Sequence, residues 1–194
     1  MYWKCDRCGP LTEKHRQLYG NKPSVCNDHR RSLPFVHRIQ GKRELLKVKR
    51  GIHLRVCLPG IPELMLFRRL EELAQNSSGV LCSISLYPGL DRYDLQLSFS
   101  DGVIWAIDVK DYRNPYKLAL KLSPLYSEGR LKYAEGFYVV SDSRVKPYTD
   151  YMQIVREKAK LPANIHVVDN LEFDSWVVTK IDNLKPEGRT NESR

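Results

Sequence analysis

Hydrophobic and polar positions along residues 91–112, DRYDLQLSFSDGVIWAIDVKDY, follow the pattern of a β-hairpin. Apolar and polar residues alternate over residues 95–99, as they do in a strand with one buried face. The turn signal Ser100-Asp101-Gly102 comes next, and residues 103–109 are rich in β-branched and aromatic side chains. The pattern therefore predicts two antiparallel strands joined by a short turn.

Periodic apolar positions on both sides of this hairpin predict an α/β fold. Residues 61–75 carry leucines and a phenylalanine at helical spacing, with Pro62 near the start and a polar Asn-Ser-Ser-Gly run after the end. The remaining predicted elements are strands over residues 80–86, 136–141 and 164–168, and helices around residues 118–131 and over residues 147–160. The predicted order is helix, three strands, helix, strand, helix, strand.

The second strand of the hairpin ends in an acid and a lysine that share one face. Because side chains alternate across a strand, Asp108 and Lys110 project to the same side, whereas Ile107 and Val109 project into the core. Pairing about the turn brings Asp94, which opens the first strand, near Asp108. Two carboxylates this close repel unless a cation lies between them, and hard oxygen ligands favour Mg²⁺ or Mn²⁺.

Lys110 has a clear task beside such a metal. Its ammonium can orient or help deprotonate a metal-bound water, or neutralise charge that grows on a phosphate. The simpler alternative is an exposed ion pair between Lys110 and Asp108, worth at most about 1 kcal/mol. Against this alternative, both residues directly follow Trp105-Ala106-Ile107, in a strand apolar enough to be central in a sheet.

Asp94, followed fourteen residues later by Asp108-Val109-Lys110, resembles the motif of the PD-(D/E)xK nuclease superfamily. Tyr93 stands where that motif usually has a proline. The resemblance implies a restriction-endonuclease-like mixed central sheet flanked by helices, and Mg²⁺-dependent hydrolysis of DNA phosphodiester bonds. It also implies that Asp94, Asp108 and the carbonyl of Val109 bind the catalytic Mg²⁺ or Mn²⁺.

Members of this superfamily often supply a further catalytic carboxylate from the first helix, where the candidates here are Glu63 and Glu71. Glu63 is preferred because it shares the helix face of Leu66 and Leu70 and would point toward the sheet. Glu71 lies among arginines. The alternative for Glu63 is a favourable interaction with the helix dipole, which an acid in the first turn makes without any catalytic role.

Four potential zinc ligands near the N-terminus form two close pairs, Cys5-x2-Cys8 and Cys26-x2-His29, separated by seventeen residues. Sulfur and imidazole ligands in this spacing suit tetrahedral Zn²⁺. Gly9 permits the tight turn that a zinc knuckle needs. Two disulfides do not explain the set, because one of its four members is a histidine. No signal peptide is recognisable at the first residues, so a cytoplasmic protein is expected.

The formal net charge of +9 comes from the first part of the chain. Residues 1–56 carry fourteen Lys and Arg against four Asp and Glu, whereas residues 57–194 carry eighteen against nineteen. A basic segment with its own apolar residues is suited to lie along a phosphate backbone, and the alternative is a solvated linker. A membrane partner is not favoured, because no long amphipathic helix with bulky aromatics is recognisable. The candidate nucleic-acid-binding residues are Arg30, Arg31, Arg38, Lys42, Arg43, Lys47, Lys49 and Arg50.

These features divide the chain into four predicted parts. Residues 1–30 form a zinc-ribbon-like module, which is too short to fold without a metal. Residues 31–56 form the basic connecting segment. Residues 57–175 form the PD-(D/E)xK nuclease-like domain, and residues 176–194 a polar C-terminal tail.

The predicted function is a metal-dependent endonuclease that hydrolyses DNA, with a structural Zn²⁺ and a catalytic Mg²⁺ or Mn²⁺. The resemblance implies a prokaryotic restriction or phage-defence setting, such as the systems that accompany Piwi-like proteins. It also implies a larger defence or helicase complex as partner, and a homodimer for cutting both strands. Two alternatives stay open: a nuclease-fold subunit that binds nucleic acid or assembles without catalysis, and a zinc-dependent adaptor for a partner protein.

Overall fold

The computed structural model describes residues 2–5, 9–11, 36–39 and 58–185, and the chain divides into two compact units, Met1–Ile61 and Pro62–Arg194. In the first unit, three short strands form an antiparallel sheet in the order β2-β1-β3. These strands are β1 (Tyr2–Cys5), β2 (Gly9–Leu11) and β3 (Val36–Ile39).

Most of the residues predicted to bind zinc or nucleic acid lie outside the described part of the chain. Cys5 ends β1 and pairs with Gly9 of β2, and Arg38 lies in β3. The other predicted ligands and basic residues lie outside the described residues: Cys8, Cys26, His29, Arg30, Arg31, Lys42, Arg43, Lys47, Lys49 and Arg50. The zinc-ribbon-like module and the basic segment therefore stay predictions.

The second unit is a five-stranded mixed sheet flanked by helices, which confirms the predicted α/β class. The strand order is β4-β5-β6-β7-β8, with antiparallel pairs from β4 to β6 and parallel pairs from β6 to β8. The strands are β4 (Leu81–Leu86), β5 (Leu95–Phe99), β6 (Ile104–Lys110), β7 (Glu135–Val140) and β8 (Ile165–Asp169). The right-handed α-helices are α1 (Leu58–Gln75), α2 (Pro115–Ala119), α3 (Asp142–Val145), α4 (Tyr151–Lys158) and α5 (Asn170–Leu184), and a short turn with left-handed dihedral angles, Pro88–Asp91, joins β4 to β5. Among the described helices, none has the length and apolarity needed to cross a bilayer.

The central strands β6 and β7 are covered on both faces, so alternate residues of β6 enter different cores. Trp105 and Ile107 of β6 pack in the core that also holds buried residues of α1 and α5. Ala106 packs in the opposite core, with buried residues of α2 and α4. A strand covered on both faces reads as a nearly continuous apolar run, which explains why residues 103–107 lack a clear alternation.

The helix predicted around residues 118–131 is wrong. The structure has a short helix, Pro115–Ala119, which overlaps the predicted range only at its first two residues. The chain then runs irregularly to a single 3₁₀ turn at Gly129–Leu131. Pro124 cannot donate a helical hydrogen bond. The carbonyl of Ser123 instead accepts a 2.6 Å hydrogen bond from the hydroxyl of Tyr138, so tertiary contacts replace the helical ladder here.

Residues 176–184, expected from the sequence to lie in a polar tail, belong to helix α5. Asp169 caps this helix reciprocally with Glu172, since each side chain accepts a hydrogen bond from the other residue's backbone N–H. Val177 and Ile181 are 0% and 4% exposed. The apolar side chains recur at helical spacing among polar neighbours, which is why overall polarity concealed a core helix.

Candidate active site

The register of the central hairpin places two acids opposite each other. Leu95 of β5 pairs with Ile107 of β6 in the antiparallel ladder. The next positions outward in the same register are Asp94 and Asp108. The backbone N–H of Val109 donates a 2.6 Å hydrogen bond to Oδ2 of Asp94, so the first acid is tied directly to the strand that carries the second.

The carbonyl of Val109 points toward the same side as Asp94. The N–H of Ser141 donates a 3.0 Å hydrogen bond to the carbonyl of Lys110, which therefore faces β7. Because backbone groups alternate along a strand, the N–H and carbonyl of Val109 face the opposite side, where β5 has already ended. This carbonyl thus faces the side of β6 on which Asp94 lies, beyond the last β5–β6 ladder pair, Leu95 with Ile107.

Lys110 is paired with the second acid at this end of β6. Its ammonium forms an ion pair with Oδ1 of Asp108 and lies 5.5 Å from the ring centroid of Tyr138. The Lys110 and Asp108 side chains are 25% and 17% exposed, so the pair is largely sheltered. The sequence alone also allowed an exposed ion pair between Lys110 and Asp108, in which solvent would screen most of the attraction. The sheltered position of the pair differs from that alternative.

Glu63 extends the cluster from helix α1. Its Oε2 accepts a 2.9 Å hydrogen bond from the hydroxyl of Tyr87, at the end of β4. Burial raises the pKa of this carboxyl, and the negative charge of Asp108 adds to the rise, while the Tyr87 bond and the positive charge of Lys110 oppose it. Glu71, the other candidate on this helix, is exposed. The structure therefore brings Glu63, and not Glu71, to the acids of the hairpin.

The cluster contains three carboxyl groups and one ammonium group, and its carboxyl groups disfavour one another's ionisation. Burial raises the pKa of the Asp94 carboxyl to about 8, and the charge of Asp108 adds to the rise, whereas the hydrogen bond from Val109 opposes it. Within residues 58–185, no three Asp, Glu, His or Cys side chains converge tightly enough to hold a metal by themselves. Two carboxylates that repel each other, together with the backbone carbonyl beside them, do fit a hard divalent cation.

Two contacts around the cluster could not be predicted from local sequence patterns, because each joins residues that are far apart in the chain. Tyr87 reaches Glu63 from 24 residues away. Asp111, which directly follows Lys110, accepts hydrogen bonds from Arg144 Nε at 2.8 Å and Arg144 Nη2 at 2.6 Å. The Pro88-Gly89 dipeptide after Tyr87 is a turn signal, but it does not indicate the contact with Glu63. Both contacts hold segments next to residues of the cluster.

Comparison with known proteins gives one finding on family. A family model described as "REase associating with pPIWI_RE", in which REase stands for restriction endonuclease, matches residues 60–184. The matched range contains Glu63, Asp94, Asp108 and Lys110, as well as helix α5. No curated protein and no solved structure matches the chain significantly.

Proposed function

Because the chain belongs to the restriction-endonuclease-like family described as associating with pPIWI_RE, we propose that it is a metal-dependent endonuclease of the PD-(D/E)xK type that hydrolyses DNA. The observation that carries the proposal is the convergence of Asp94, Asp108 and Lys110 at one end of the central hairpin. Family membership supports a nuclease-related role in a pPIWI-associated system. The hydrolysis, the metal and the substrate are the proposed parts.

The residues of the cluster have separable roles in this proposal. Asp94, Asp108 and the carbonyl of Val109 would hold Mg²⁺ or Mn²⁺, with Glu63 adding a further carboxylate. When bound, such a cation polarises the phosphate and lowers the pKa of a bound water. Lys110, held beside the metal ligands by its pair with Asp108, orients the attacking water and offsets the negative charge that develops on the phosphate.

The N-terminal unit would bind DNA for this active site. Support comes from the excess of basic residues before residue 57 and from the spacing of Cys5, Cys8, Cys26 and His29. A structural Zn²⁺ at these four residues would fold the module. The basic residues from Arg30 to Arg50 would then contact phosphates without reading sequence.

The family description also supports a protein partner. It names pPIWI_RE as the protein with which this kind of nuclease associates. We place the chain in a larger complex with such a partner in a restriction or phage-defence system. A homodimer would let the chain cut both strands of a duplex.

The test is cleavage of plasmid and single-stranded DNA with Mg²⁺ or Mn²⁺, by the wild-type protein and by the Asp108→Asn and Lys110→Ala variants. A matched control pair is Asp101→Asn and Lys180→Ala, because Asp101 and Lys180 form a similar ion pair (2.5 Å) away from the cluster. We expect cleavage to be lost in the first pair of variants and kept in the second. Equal loss or equal retention in both pairs would refute the assigned residues.

A second function, binding or assembly without catalysis, is favoured by the lack of a tight three-acid cluster in the described residues. It predicts that folded, zinc-loaded wild-type protein binds DNA but does not cleave it with either metal, alone or with a pPIWI_RE partner present. Cleavage that needs the partner and Asp108 would instead establish a partner-activated nuclease.

A further inference from the structure

Tyr87 lies at the junction of strand β4 and the turn that leads to the first acid of the hairpin. Its backbone N–H donates a 2.8 Å hydrogen bond to the carbonyl of Asp94, which extends the β4–β5 ladder by one step. This hydrogen bond fixes the backbone of Tyr87 relative to the backbone of Asp94. A shift of Tyr87 would move the backbone of this acid as well.

The backbone around Tyr87 is strained. Tyr87 has φ 51° and ψ 48°, and Leu90 and Asp91 also have positive φ, of 60° and 67°. The left-handed region is unfavourable for a residue that carries a Cβ atom. Such strain persists only when surrounding contacts determine it, and it often occurs beside functional sites. The ladder bond to Asp94 is one such contact.

The side chain of Tyr87 provides the second contact. Its hydroxyl donates the 2.9 Å hydrogen bond to Oε2 of Glu63, on helix α1. A tyrosine hydroxyl is ordinarily neutral at physiological pH and can donate this bond. One residue thus connects an acid on a helix with an acid at the start of a strand.

We propose that Tyr87 is a positioning residue that holds the Glu63 carboxylate toward Asp94 and Asp108, so that Glu63 contributes to divalent-cation binding. The inference rests on the proposed metal site, and it adds to it a residue outside the acid–lysine motif. Its basis is the pair of contacts from Tyr87, by backbone to Asp94 and by side chain to Glu63. A donor at this place removes the freedom of a long carboxylate side chain before the cation arrives.

Mn²⁺ affinity distinguishes a positioning role for Tyr87 from a purely structural one, because a structural role would change the stability of the protein but not its affinity for the cation. The Tyr87→Phe variant keeps the ring and its backbone conformation and loses only the hydroxyl. Tyr126 provides a matched control, because its hydroxyl donates a 3.0 Å hydrogen bond to Oε2 of Glu128, an equivalent Tyr–Glu contact in a different part of the unit. Thermal unfolding of both variants would report any effect on stability.

The readout is Mn²⁺ affinity of the zinc-loaded, DNA-free protein, measured by electron paramagnetic resonance of free Mn²⁺. A hydrogen bond to a carboxylate at a partly exposed position is worth about 1 kcal/mol, which corresponds to about a fivefold loss of affinity. We expect this loss in Tyr87→Phe, a larger loss in Glu63→Gln because the charged ligand itself is removed, no further loss when Tyr87→Phe is added to Glu63→Gln, and no change in Tyr126→Phe. In cleavage assays, the Mg²⁺ concentration for half-maximal rate should rise while KM for DNA stays constant.

The outcomes separate this inference from the proposed function. Unchanged Mn²⁺ affinity in Tyr87→Phe, with affinity lost in Asp108→Asn, would overturn the role of Tyr87 and leave the metal site intact. A lower melting temperature without a change in affinity would do the same. If wild-type protein binds no Mn²⁺ beyond what Asp108→Asn binds, both the metal site and the role of Tyr87 are overturned.

Discussion

Replacement of Asp94 by Asn should stabilise the metal-free protein, and increasingly so as the pH rises. The pKa of this carboxyl is raised from 3.8 to about 8 in the folded protein, first by burial and then by the charge of Asp108. The folded state therefore holds a proton that the unfolded chain has released, throughout the range from pH 4 to pH 8. Stability falls with rising pH in that range, because it decreases wherever the folded state binds more protons. An amide at this position removes the dependence.

The size of the effect follows from the shift. At about 1.4 kcal/mol per pKa unit, the full rise from 3.8 to about 8 corresponds to about 6 kcal/mol, which is an upper limit. Part of the pKa rise comes from repulsion between Asp94 and Asp108, and this energy belongs to the pair and not to Asp94 alone. In addition, an asparagine at this position is still a buried polar side chain, so part of the burial cost remains in the variant. The amide oxygen can still accept the hydrogen bond from Val109. We therefore expect a gain of about 2 kcal/mol at pH 8 and almost none at pH 4.5.

The assay is urea unfolding at pH 4.5, 6.5 and 8 without added divalent metal. Asp101→Asn is the control of opposite sign, because its hydrogen bond with Lys180 lowers the pKa of Asp101, and loss of this carboxylate should destabilise the protein above pH 4. Addition of Mg²⁺ should stabilise wild type at pH 8 but not the Asp94→Asn variant, since binding needs the ionised carboxylate. Parallel pH dependence in wild type and Asp94→Asn would refute the reasoning.

Three further predictions concern other parts of the chain. Ile181→Ala should cost about 2–4 kcal/mol in urea unfolding, because Ile181 is buried in helix α5, whereas an unstructured tail would show no change. Arg144→Ala should cost about 2 kcal/mol by breaking the sheltered pair with Asp111, with partial recovery in Arg144→Lys; equal stability of all three proteins would contradict it. One zinc per chain, measured by mass spectrometry, should be lost in Cys26→Ser, and unchanged zinc content would exclude Cys26 as a ligand.

The hairpin and its acids could be predicted because the information is local. A short turn, alternation before it and an apolar run after it specify both strands and their register within about twenty residues. The Glu63 assignment rested on helix periodicity, and this too is a local pattern. The structure agrees with the predicted positions of these side chains, because one strand or helix, or two elements adjacent in sequence, determine them, whereas their catalytic roles stay predictions.

Most of the remaining features depend on contacts between residues that are distant in sequence. The predicted helix around residues 118–131 failed for one local reason, because Pro124 cannot donate a helical hydrogen bond, and for one distant reason, because the hydroxyl of Tyr138 in a later strand binds the carbonyl of Ser123. Arg144 meets Asp111 across 33 residues, and neither residue type is unusual where it stands. Helix α5 is different, since Asp169 and Glu172 form a capping box that was readable in the sequence. Its polar exposed face outweighed that signal.

The same constraint specifies the fold and the candidate site. The register that pairs Leu95 with Ile107 is the one that buries both side chains at 0% exposure against α1 and α5. A slip of one residue would turn Asp108 and Lys110 into that core, where each uncompensated charge costs several kcal/mol. The cost of burying these charges thus opposes a slip by one residue, or by any odd number, and favours the face assignment in which Leu95 and Ile107 are buried together. Consequently, the hydrophobic core that stabilises the hairpin also determines how close the two acids lie, before any metal binds.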